Sequence, residues 1–250
     1  MTRNVYLGAS IGPVLGAGSL AEVRIETVYP NRPQSTSSYR ESEGQMGPIL
    51  SMAEGGDPIG QYTAGMSYEG RGDHDNALVW WERSQAATGD RFILAQSAVG
   101  RSKILVIRGQ YQEALDILQN AARRTEPDGH ELVFSNYRSF TGAEVANAIE
   151  WHILVLENIG FVYRSNLENI AEANRWFRAA AELKGTVLSN GIPSPGDPTH
   201  EQYLMLLNEL ASFYQWALED QEAAIPWLQT AARAGDTSAQ EELTRMGVSW

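Results

Sequence analysis

The sequence predicts an all-α fold for residues 57–250, built from stacked helical hairpins, with an extended arm over residues 1–56. Three observations carry this expectation. In the run 109–122, apolar or small residues fall at Ala114, Leu115, Leu118, Ala121 and Ala122, the i, i+3/i+4, i+7 spacing of one helix face. Looser copies of that run recur three times between residues 57 and 250. Upstream the period changes: Val23, Ile25, Thr27 and Tyr29 alternate with Glu22, Arg24 and Glu26, as a half-buried strand does.

Composition narrows the functional classes. The 250 residues are 43% hydrophobic and 20% charged, enough apolar material for a sizeable core. There is no cysteine, which excludes disulfides and thiolate metal sites. Net charge is −12, so phosphate backbones are repelled and no nucleic-acid partner is expected. A protein or peptide partner with an apolar or basic segment fits better. No apolar run approaches the ~20 residues of a membrane span. The first 21 residues faintly resemble a secretion signal, but Gly8, Gly12, Pro13, Gly16 and Gly18 interrupt them, so a cytoplasmic location is expected, a secreted or periplasmic one being the alternative.

Taken in order, the chain opens with a glycine-punctuated arm carrying the single candidate strand. Pro30, Pro33 and the polar run 34–38 follow, and residues 41–47 are polar, together reading as a linker. A second boundary is expected at residues 53–58. The first helical unit then carries Ala64, Gly65 and Tyr68, a turn at residues 70–73, and Ala77, Trp81 and Ser84. The second runs through a weak helix over 92–107 into the strong one at 111–122. The third carries Ile159, Gly160 and Tyr163, then Ala173, Phe177 and Ala180. The fourth carries Leu210, Ala211 and Tyr214, then Ala223, Trp227 and Thr230, and a short polar helix from residue 235 to about Met246 closes the series.

In these positions the units resemble the tetratricopeptide repeat, whose helices carry Leu-Gly-x-x-Tyr and Gly-x-Tyr-x-x-Ala signatures. Residues 68–81 also resemble the related Sel-like repeat. The resemblance implies a right-handed solenoid of four helical pairs with a C-terminal capping helix. Marker alanines stand 37, 59 and 50 residues apart against a family period of ~34, so two insertions are expected. One covers residues 125–140, with the helix resuming at Thr141, where Thr141 and Glu144 fit a capping box. The other covers 185–199, where Pro193, Pro195, Gly196 and Pro198 oppose helix.

In such repeats the small residues let paired helices approach and the aromatics fill the space to the next pair. Tyr68, Trp81, Tyr163, Phe177, Tyr214 and Trp227 are therefore expected in the core. The family register implies a concave surface lined by the other face of each first helix. It would present Tyr62, Met66 and Glu69, then Val99, Lys103 and Val106, then Glu157, Phe161 and Arg164, and finally Asn208, Ser212, Gln215 and Trp216. Only Lys103, Arg164 and Asn208 suit a carboxylate clamp, so an extended or helical apolar peptide is the expected ligand. The arm is itself a candidate occupant, in its own groove, in a partner's sheet or swapped between protomers.

Catalytic spellings are weak. Residues 8–12 read Gly-x-Ser-x-Gly, but Pro13 and two glycines follow in place of a helix. Residues 16–21 read Gly-x-Gly-x-x-Ala, with a strand expected next and no alternating strand–helix units. His74, His130, His152 and His200 lack zinc spacing and are expected at surfaces or caps. Residues 73–76 begin like a calcium loop without its glycine and glutamate, and suit helix capping instead. No catalytic residue, metal or cofactor is expected. The expected role is a non-enzymatic adaptor or assembly subunit, the alternatives being a permanent subunit of a larger complex or a peptide-sensing regulator.

Overall fold

A computed structural model describes residues 43–129, 131, 146–194 and 196–250, side chains at 43–45 and 146–148 excepted. Every regular element among them is helical. The candidate strand, its proline-rich linker, both glycine-rich spellings and the expected helix start at Thr141 lie outside the described residues. The elements are α1 (Glu43–Glu54), α2 (Pro58–Gly70), α3 (His74–Ala87), α4 (Arg91–Ile107), α5 (Tyr111–Thr125), α6 (Ala146–Ser165), α7 (Ile170–Ser189), α8 (His200–Ser212), α9 (Gln221–Arg233) and α10 (Thr237–Arg245). Among the described residues no helix is long and apolar enough to cross a membrane.

One local device recurs between helices. A residue with positive φ ends one helix, and the next residue starts the following one. Gly56, Gly72 and Gly235 precede Asp57, Asp73 and Asp236, whose side chains accept from backbone N–H groups of the next helix. The same left-handed position is taken by Glu168 before Asn169 and by Glu219 before Asp220. The cap residue's own N–H returns to the preceding helix, as from Asp57 to the Met52 carbonyl, Asp73 to Tyr68 and Asp236 to Ala231. Glycine suits that position because it lacks a Cβ, and the carboxylate or amide satisfies the orphan donors of the helix that follows. Short turns of this kind fold each helix back on its predecessor.

The packing is sequential. α1 lies on α2, α2 on α3, α3 on α4, α4 on α5, α5 on α6, α6 on α7, α7 on α8, α8 on α9 and α9 on α10. First helices of neighbouring pairs also meet, α2 with α4 and α4 with α6.

The seams within and between pairs are aromatic rings set against glycine. A methyl group at Gly65 would lie 2.4 Å from Trp81 Cδ1, and one at Gly100 would lie 2.7 Å from its six-membered ring. Trp81 is thus wedged between α2 and α4, and its indole N–H donates to the Tyr62 carbonyl at 3.2 Å. The third pair repeats the contact: a methyl at Gly160 would stand 2.4 Å from the Phe177 ring. Phe177 in turn meets Phe161 and Phe213 edge-on at 5.0 and 5.4 Å. Gly185 on α7 receives Trp227 of α9 in the same way. Trp81 and Phe177 are buried as expected, and Tyr214 with them, whereas Tyr68, Tyr163 and Trp227 are only half-buried.

Two boundaries differ from expectation. Residues 43–54 form a helix where the last part of the extended arm was read, because Ala53, Ile49 and Leu50 pack against Ala64, Tyr68 and Trp80. Pro48 is the sixth residue of that helix, where it removes one i→i−4 hydrogen bond. The second insertion begins later than Gly185, since α7 continues to Ser189. The glycine there marks a close helix approach and not a break.

Candidate functional site

The first helices α2, α4, α6 and α8 carry every residue expected to meet a partner, with the π-helical turn Phe213–Ala217 that continues α8. At about 100° per residue, Ile59, Tyr62, Met66 and Glu69 fall within about 80° of one another on α2. That face lies opposite the buried Gly60, Gln61 and Ala64. Ile59 is 58% exposed and Met66 38%, and Tyr62 is half-buried. On α4 the same arithmetic groups Phe92, Gln96, Val99, Lys103 and Ile107 on one face, none of them fully buried.

The two faces are continuous. Tyr62 meets Phe92 edge-on at 5.7 Å, and Lys103 Nζ pairs with Glu69 Oε1 at 2.7 Å. The result is an apolar strip of Ile59, Tyr62, Met66, Phe92 and Val99 with an ion pair toward one end. Val106, expected beside it, is buried.

The C-terminal half of the expected surface is closed. Phe161 is 6% exposed and packs on Phe177, so its ring belongs to the core and not to a binding face. Arg164 donates to the Ala217 carbonyl and pairs with Glu219 at 2.9 Å. Asn208 donates to Asp236 at 2.8 Å, and Gln215 donates to Glu242 at 2.9 Å. Each of these polar side chains ties one first helix, or the turn that continues it, across the intervening helix to the following layer. Trp216 stands apart, 63% exposed.

Glu157 faces Lys184 on α7 and Glu209 on α8, which pair with each other at 3.2 Å. Burial raises its carboxyl above the usual carboxylate range, with Lys184 opposing and Glu209 adding to the rise. A carboxyl whose folded pKa is raised stabilises below its unfolded pKa, and that contribution is lost as pH rises through the folded value. Glu157→Gln is therefore expected to raise the melting temperature at pH 7.5 and to leave it unchanged near pH 3.5. Differential scanning calorimetry at the two pH values checks this, and an equal shift at both would remove ionisation as the cause.

A second concavity, about 820 Å³, lies on the other flank of α6, where α5 and α7 stand on either side. His152, Leu156, Tyr163, Trp176 and Leu183 line it with Arg123 and Glu126. His152 departs from the surface role expected of it. The ring is buried, its Nδ1 lies 3.0 Å from Thr125 Oγ1, and burial lowers its pKa. His200 contacts the Ala234 carbonyl through Nε2 at 2.9 Å, and Asp73 caps α3 as the sequence suggested. No group of three or more His, Cys, Asp or Glu residues that could hold a metal ion occurs among the described residues.

Sequence reasoning missed Ile59 and Phe92. Both were recoverable from register: Ile59 stands three residues before Tyr62, and Phe92 seven before Val99. The chain matches no protein-family model and no curated protein.

Proposed function

We propose that this chain is a non-enzymatic protein-interaction module, an adaptor or assembly subunit. In this reading the helices form a right-handed stack of tetratricopeptide-like or Sel-like hairpins, and the α2/α4 strip receives an apolar extended or helical segment. The observation that carries it is the strip itself. Ile59 and Met66 are solvent-exposed on the same helix face as half-buried Tyr62, beside Phe92 and Val99. The ring-on-glycine contacts at Gly65 with Trp81 and at Gly160 with Phe177 support the repeat reading. They place an aromatic sixteen or seventeen residues after a first-helix glycine.

An exposed apolar strip of this kind suits partner binding, since water-facing methyl and thioether groups gain on burial. The flanking Lys103–Glu69 pair gives the strip a polar end that fixes ligand direction without demanding a carboxylate. The test is selection of a phage-displayed peptide library against the full chain. Enriched peptides are expected to be apolar, and Ile59→Glu/Met66→Glu is expected to lower capture tenfold or more. Equal capture by that variant would overturn the assignment. Both positions are exposed, so the variant is expected to melt as the parent does.

A further inference from the structure

We infer that the cleft between α5, α6 and α7 is a second binding site. It takes a small uncharged aromatic molecule with an O–H or N–H donor at one end and a carbonyl acceptor at the other. The site is separate from the α2/α4 strip and does not depend on its assignment. Its volume, about 820 Å³, falls within the roughly 300–1,000 Å³ of small-molecule sites.

His152 sets the end that meets a donor. The ring is 8% exposed and lines the cleft. Thr125 Oγ1 gives its single proton to its own helix, with the Ala121 carbonyl at 2.9 Å and that of Ala122 at 3.3 Å. In its 3.0 Å contact with His152 Nδ1 the hydroxyl can therefore only accept, so Nδ1 carries the imidazole proton. Nε2 is left as an acceptor and makes no hydrogen bond among the described residues. Burial also lowers the pKa of the ring, which keeps Nε2 unprotonated at neutral pH. A largely buried acceptor of this kind is costly until something donates to it.

Trp176 of α7, on the wall of the same cleft, sets the other end. Its indole N–H is buried and has no hydrogen-bond partner among the described residues, and such a group only donates. The helix pair gives the separation. Phe177, the neighbour of Trp176, lies against Gly160, eight residues beyond His152 and so about 12 Å along α6. With a hydrogen bond at each end, about 6–9 Å remains between the ligand's donor and acceptor atoms. One aromatic ring with a short linker has that length. Leu156 and Leu183 line the cleft as apolar wall, and Tyr163 adds a flat ring. Arg123 and Glu126 from α5 and Glu172 and Arg175 from α7 also line it. Their charges cancel, so neither an anion nor a cation is drawn in and a neutral ligand is favoured.

The seven tryptophans give indole N–H resonances that locate a ligand by NMR, the resonance of Trp176 being assigned with Trp176→Phe. The probe is p-hydroxybenzylacetone, added to the isotope-labelled full chain. The expected result is a saturable shift of the Trp176 indole resonance at millimolar probe or below, with the exposed Trp216 and Trp250 unmoved. Equal shifts at all the tryptophans, or none at Trp176, overturn the assignment.

Equilibrium dialysis supplies the affinities. Trp176→Phe and His152→Phe each keep an aromatic ring and remove one hydrogen-bonding group, and each is expected to weaken binding about tenfold. Trp176 is half-buried, so its variant carries the test if the buried His152 does not tolerate change. The methyl ether of the probe lacks the donor and p-hydroxyphenylpropionate is an anion, and both are expected to bind at least tenfold more weakly. Equal affinity across the variants, or across the three compounds, overturns the inference. Ile59→Glu/Met66→Glu is expected to bind the probe as the parent does. A loss there would put the probe on the α2/α4 strip and overturn the second site while leaving the first.

Discussion

Trp81→Ala is expected to cost about 3–5 kcal/mol, the range for truncating a large buried aromatic. For a chain of this size that corresponds to a fall of roughly 6–20 °C in the melting midpoint. The reason is position more than size. Trp81 is 2% exposed and lies against Gly65 of α2 and Gly100 of α4. Its removal leaves a void shared by three helices, with two glycines that offer no side chain to fill it. The Tyr62 carbonyl also loses its indole donor, and Tyr62 belongs to the proposed binding strip. Trp216→Ala is the matched comparison, since that ring is 63% exposed and its loss is expected within about 0.5 kcal/mol of neutral. Chemical denaturation followed by far-UV circular dichroism checks both. Comparable losses for the two tryptophans would mean that the seam at Trp81 carries no special weight.

The helical core was legible because periodicity reports which face of a helix is buried. Ala114, Leu115, Leu118, Ala121 and Ala122 are all buried on α5, as their spacing required. Residues 43–54 were misread for an equally physical reason. Glycine, proline and polar residues dominate that stretch locally, while the apolar side chains that hold α1 on α2 are few and act through tertiary contact. The residues expected at the binding surface show the same division. Met66 and Trp216 are exposed, and Tyr62 and Val99 half-exposed. Phe161 sits at an equivalent register position, yet it is buried, its ring packed on Phe177. Register gives direction around a helix axis, not what the neighbouring helix brings to meet it.

The closed half explains how the open half gains definition. Arg164, Asn208 and Gln215 spend their hydrogen bonds on Ala217, Asp236 and Glu242. Partly buried polar ties of this sort fix helix register more than they add stability. Toward the N-terminal end Lys103 is tied across first helices, to Glu69. The strip proposed to receive another segment is consequently short and largely apolar, and it lies on α2 and α4. That suits a single extended stretch better than a long helix laid along the full array.

Gly160→Ala is expected to destabilise, although the same change at an exposed site inside a helix stabilises by up to about 1 kcal/mol. The sign reverses because the new methyl would meet the Phe177 ring at 2.4 Å, and overpacking of a tight core costs about 1–3 kcal/mol. Phe177 has little freedom to withdraw, being held between Phe161 and Phe213 with the Arg164 guanidinium 5.8 Å from its centroid. Phe177→Ala alone is expected to cost about 3–5 kcal/mol. In the double variant the added methyl enters the space the ring vacates, so the combined loss should fall short of the sum by about 0.5–3 kcal/mol. Gly70→Ala is the control, since nothing lies within 4 Å of a methyl there, and it should be neutral to stabilising, by up to about 1 kcal/mol. Urea titration of the four members of the cycle measures the coupling. Strict additivity would mean that the glycine and the ring do not act on each other, and the seam reading of the third helix pair would lose its basis.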